Sequence, residues 1–164
     1  MKIGNRSIWN ISNRIPEIYG VLIAFGLIVY FFAMYLLGLI HVVELRLLNL
    51  LVLAAGVYFA MKQYSRTHGF HMDYFHAFTT GIGAAAIGTA IFSVFLFLYL
   101  QLDHSLMRSI ARREPLGLYL NPYIAAFMVS LEGLFSGIFV TFLLSNFMAE
   151  RKHVNRPRET EVIQ

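Results

Sequence analysis

Four long apolar blocks, separated by short polar stretches, decide what this chain can fold into. A run of about 20 apolar residues crosses the roughly 30 Å hydrocarbon core of a bilayer as a helix, which satisfies its own backbone groups there. The blocks fall at residues 18–40, 42–61, 74–102 and 122–149. They predict an all-α, integral membrane four-helix bundle over residues 18–149, with 1–17 as a basic juxtamembrane segment and 150–164 as a disordered cytoplasmic tail. Composition agrees: 58% of the 164 residues are hydrophobic and 13% charged, against about half and about a quarter in a soluble domain. Four helices of this size leave no room for a separate soluble domain.

The formal charge of +4 belongs to bases that flank the apolar blocks. That is how membrane orientation is written, so nucleic acid is not an expected partner. With four spans, Lys2, Arg6, Arg14, Lys62, Arg66, Arg151, Lys152, Arg156 and Arg158 share one side, and Arg46, Arg108, Arg112 and Arg113 the other. The bias predicts both termini in the cytoplasm. Lys2, Arg6 and Arg14 precede the first block as in a signal peptide. The block ends in "FFAMYLLGLI", however, without a small-x-small cleavage site, and is expected to be a retained anchor. Pro16 and Glu17 suit the start of its helix. Within residues 103–121, Asp103 is placed to cap a short amphipathic helix with Leu106, Met107, Ile110 and Ala111 on one face and Arg108 and Arg112 on the other. That helix is expected on the outer membrane surface.

Helices in lipid associate through close backbone approach and buried polar contacts, because lipid tails are as apolar as leucine. Span three carries "AFTTGIGAAAIG", which puts Ala77, Gly81, Ala84 and Gly88 on one narrow stripe. Span four carries Gly133 and Gly137, extended by Ser130 and Thr141. The simplest expectation packs these two stripes together, with Phe92 and Phe95 continuing the first one outwards.

Glu132, in "FMVSLEGLFSGIFV", is the acid that this frame does not explain. A carboxyl group near the bilayer centre costs several kcal/mol unless it is paired, hydrated or neutral. On a helical wheel it lies far round from Gly133 and Gly137, so it faces the bundle interior, a wet cavity or another subunit. Asn49, Tyr30 and Ser93 stand near its depth and complete a candidate intramembrane polar site. The alternatives are a neutral structural acid, a contact with a partner's polar group, and a proton- or cation-handling site.

Other constellations carry less. "HGFHMDYFH" gathers His68, His71, Asp73 and His76, residue types that suit zinc or copper, but in no recognised ligand spacing. A solvated histidine-rich loop is the better reading. A haem would need facing histidines at equal depth, whereas His76 is at the inner side and His41 and His104 at the outer one. Asp103, His104 and Ser105 are adjacent in sequence, which does not let them form a relay. No G-x-S-x-G, H-E-x-x-H or phosphate-binding glycine loop occurs, and there is no cysteine. No catalytic residue, metal or cofactor is expected.

"YGVLIAFG", "HMDYFHAFTTGIGAAAIGTAIFSVFLFLY" and "GLFSGIFVTFLLSNFMAERK" resemble the four-span membrane family catalogued as domain of unknown function 4199, over about residues 18–152. The most specific part is Phe75 through Gly81, an aromatic-x-x-Ala-Phe-x-x-Gly opening of a small-residue helix. The resemblance implies a multi-pass protein of the bacterial inner membrane, mainly in Bacteroidota, and implies no activity or catalytic residue. The functional expectation is a non-enzymatic structural or accessory component, in contact with the lipid bilayer and with further copies of itself or a larger membrane complex. The alternative is a proton- or cation-coupled transport element centred on Glu132.

Overall fold

A computed structural model of the chain describes residues 14–38, 46–68, 74–112 and 117–154. The described residues form helices α1 (Ile15–Leu36), α2 (Arg46–His68), α3 (Tyr74–Leu102), α4 (His104–Ala111) and α5 (Pro122–Val154), with a 3-10 turn at Gly117–Tyr119. Four of the helices contain segments long and apolar enough to cross a membrane: Ile15–Leu36, Leu47–Thr67, Phe75–Leu102 and Pro122–Met148. The 28 residues of the third extend about 42 Å at 1.5 Å per residue, more than the hydrocarbon thickness, which requires tilt or an end outside the core. The regular structure of the described residues is therefore all helical, and by length and composition its four spans make a multi-pass membrane protein. The basic segment 1–13 and the tail beyond Val154 lie outside the described residues.

Local chemistry sets the helix ends. Pro16 sits in the first turn of α1, where its missing N–H is no loss, and Glu17 pairs with Arg14 at 3.9 Å. At the other end Leu37 N–H donates to Ala33 O and Gly38 N–H to Tyr35 O, both at 3.1 Å, while Gly38 takes φ +67°. That left-handed cap favours glycine and stops the helix. Asn121 caps α5: its Oδ1 accepts from Ile124 N–H at 2.9 Å, with Pro122 next in the first turn.

The third span is the centre of the bundle. In its most apolar stretch 44% of residues are buried, against 22%, 22% and 17% in the others. Close contacts give the directions of its neighbours. Gly83 faces Pro16, a methyl on Gly20 would come 2.7 Å from Ile87 Cβ, and one on Gly88 would come 2.7 Å from Ile23 Cγ2, so α1 and α3 run parallel. Gly26 faces Val52 and Gly56 faces Ile23, so α2 runs antiparallel to α1. Gly81 faces Thr141, Ala85 faces Gly137 and Thr89 faces Gly133, so α5 runs antiparallel to α3. The chain thus goes up, down, up, down, and the start of α1 and the end of α5 share one end of the bundle.

The α3–α5 approaches at these glycines advance by four residues on both helices, the small-residue spacing that lets two backbones come close. The expected α3 stripe divides between two partners. Gly81 packs on α5, whereas Ala84 and Gly88 pack on α1, the Ala84 carbonyl lying 3.1 Å from where a Gly20 methyl would stand. The physical reason is the central place of α3: Gly81 and Ala84 stand about 60° apart on the wheel, and with α5 packed on one side and α1 on the other each goes to a different neighbour. The aromatic half likewise meets α1. Phe31 stands edge-on to Phe95 and Tyr99 at 5.8 and 5.1 Å between ring centroids, and Phe32 edge-on to Phe95 at 5.7 Å.

Helix α4 closes one end of the bundle. Its Leu106 and Met107 are buried in a cluster with Leu96 and Leu100 of α3, joined by half-buried Ala125 and Val129 of α5. Its apolar face is thus spent on the bundle, and Arg108 and Arg112 remain exposed.

Candidate intramembrane interface

Glu132 is placed by the α5 start. About 15 Å of helix separates it from Pro122, half of a roughly 30 Å hydrocarbon core. The helix turns its small residues inward. A methyl on Gly133 would come 2.5 Å from Thr89 Cγ2, and one on Gly137 would come 2.6 Å from Ala85 Cβ. Because Glu132 is about 100° from Gly133, this packing turns it out of the bundle, where it is exposed. Of the sequence-based alternatives, the geometry leaves the exterior: the acid does not look between the helices. Arg14–Glu17 is the one ion pair among the described residues, so none of their cations pairs with Glu132.

The residues expected at its depth lie elsewhere. Ser93 is buried on α3, Asn49 is half-buried on α2 and Tyr30 half-buried on α1. Neither Ser93 Oγ nor Asn49 Oδ1 has a hydrogen-bond partner among the described residues, so neither is bonded to Glu132. Equal depth did not imply equal direction. Thr89, Thr141 and Ser145 hydroxyls are also buried without hydrogen-bond partners among the described residues. The α3–α5 seam is therefore held by close van der Waals approach between small residues and not by bonds between these hydroxyls.

The exposed side of α5 carries a second polar residue that the sequence reading missed. Asn146 is exposed and donates through Nδ2 to Phe142 O at 3.0 Å. The signal was in its spacing: it stands two heptads, 14 residues, beyond Glu132.

Asp103 has a structural role. Its carboxylate accepts from Ser105 Oγ at 2.6 Å, from Leu106 N–H at 3.0 Å and from Ser105 N–H at 3.1 Å, and Tyr35 O–H donates to it at 3.3 Å. The Ser105 hydroxyl first, then the Leu106 amide, hold its carboxyl below the usual carboxylate range. It caps α4 and ties that helix to the end of α1, and Ser105 serves the cap. Among the described residues no group of three or more His, Asp or Glu comes together to hold a metal ion. His71 and Asp73 lie outside those residues, His76 is exposed in the first turn of α3, and His104 is exposed on α4.

No protein-family model, curated protein or solved structure matches the chain.

Proposed function

We propose that this protein is a non-enzymatic accessory component of a bacterial inner membrane, whose work is to assemble with another membrane subunit through the outer face of α5. The observation that carries the reading is the position of Glu132: a mid-membrane acid turned towards lipid, away from the space between the helices. Lipid tails offer such a group no partner, and leaving it there costs about 3 kcal/mol on insertion scales. A neighbouring protein surface removes that cost. A transport site would be expected between helices, where an ion could be passed from one end to the other.

The orientation belongs to the same proposal. Both ends of the four-span unit lie at the basic side, with nine of the 13 Lys and Arg residues, and are assigned to the cytoplasm. Helix α4, with Arg108 and Arg112, then faces outwards. The resemblance to the four-span Bacteroidota family agrees with this location.

The test is a comparison of wild type and Glu132→Gln, which keeps hydrogen-bonding shape and removes the ionisable group. The accessory reading predicts no proton or cation flux in proteoliposomes from either protein, and co-purification in mild detergent with further copies or a defined subunit. A flux present in wild type and abolished in Glu132→Gln would establish the transport alternative instead.

A further inference from the structure

The outer face of α5 has a regular pattern. Met128, Glu132, Phe135, Phe139, Phe142 and Asn146 follow one another at spacings of four, three, four, three and four, and all are exposed. That is the a/d spacing of a helix that pairs lengthwise with another at 3.5 residues per turn. The stripe lies about 150° round the helix from the Gly133–Gly137 seam, so packing on α3 leaves it uncovered. Glu132 and Asn146 occupy the same heptad position, and four large apolar residues fill the others.

We propose that this stripe is the interface between two copies of the chain, with α5 and its equivalent parallel about a two-fold axis along the membrane normal. Copies of one sequence insert with one orientation, so identical helices meet parallel, and an isologous contact sets each axial residue against itself. Both polar residues suit self-pairing. A carboxyl group facing its own copy can share a proton, one O–H donating and the other carboxyl accepting. Asn146, with one N–H bound to Phe142 O, keeps its second N–H and its carbonyl oxygen for a facing amide, a donor and an acceptor that match their own copy. A foreign helix bearing a cation would answer Glu132 but gives no account of Asn146 at the same heptad position. Polar residues at a positions in paired helices fix register and copy number, which is the role assigned to both here.

The inference rests on the accessory reading and goes further by naming the partner. Because the chain has no cysteine, single cysteines each report one position. Met128→Cys and Phe139→Cys lie on the stripe, and Phe127→Cys, 63% exposed in the native residue, lies about 100° round the helix from it. Oxidation in native membranes is expected to link copies at 128 and 139 and several-fold less at 127. Equal linkage at all three, or none at 128 and 139, overturns the pairing. Glu132→Gln is expected to retain self-association and Glu132→Leu to weaken it about tenfold, a typical effect for lost interhelical hydrogen bonds. Unchanged association in Glu132→Leu also overturns it. If linkage at 128 and 139 is absent while the chain stays bound to a different, defined subunit, self-pairing fails and the accessory reading stands. A Glu132-dependent ion flux overturns the accessory reading itself.

Discussion

Glu132 shows how one residue's direction changes its meaning. In a cavity between helices the carboxyl would read as an ion site; on the outer face of α5 it reads as a group awaiting another protein. Asp103 is the contrasting acid, outside the spans and fully occupied as the cap of α4. Its folded-state pKa is lowered, so its contribution is present above about pH 4, the ordinary carboxylate range, and is lost as pH falls through the lowered value. The protection of the Ser105 and Leu106 amides against exchange is therefore expected to fall in acid below that range, and to be low at neutral pH in Asp103→Ala. Equal protection in Asp103→Ala and wild type would remove the cap from the account. The direction of Glu132 relative to the glycines was legible in the sequence, because a wheel needs only helical spacing. Its distance from Asn49, Tyr30 and Ser93 was not, because depth along a helix says nothing of the side on which a residue stands.

The helices repeat that division between what spacing reveals and what packing decides. Hydropathy was enough to read four spans, and Asp103 announced α4 through capping chemistry. Small residues on α3 announced a tight seam, expected with span four alone, but its residues divide: Gly81 went to α5, and Ala84 and Gly88 to α1. The antiparallel α3–α5 seam predicts sensitivity to a single methyl. A Gly137 Cβ would stand 2.6 Å from Ala85 Cβ, and neither methyl can swing aside. Gly137→Ala is expected to cost about 1–3 kcal/mol through overpacking, read as a lower thermal midpoint in detergent. A midpoint equal to wild type would show that the seam is looser than described. A change on an exposed face away from both the seam and the outer stripe, such as Phe127→Cys, should leave that midpoint unchanged.

At the scale of the whole molecule, a central α3 wrapped by α1, α2 and α5 is a complete fold with one unexplained face. The proposed orientation predicts that an impermeant label added to intact cells reaches a cysteine substituted at Arg112 but not one substituted at Arg151; the reverse pattern would invert the topology without touching the packing. The uncovered α5 stripe carries the functional claim, since it sets a mid-membrane acid and an amide on a face that no described helix covers. Native mass spectrometry of the protein released directly from its membrane tests that claim most directly. The account predicts a wild-type assembly containing two copies and a Glu132→Leu protein found mainly as single copies; wild type released only as single copies, with no second subunit, would contradict it.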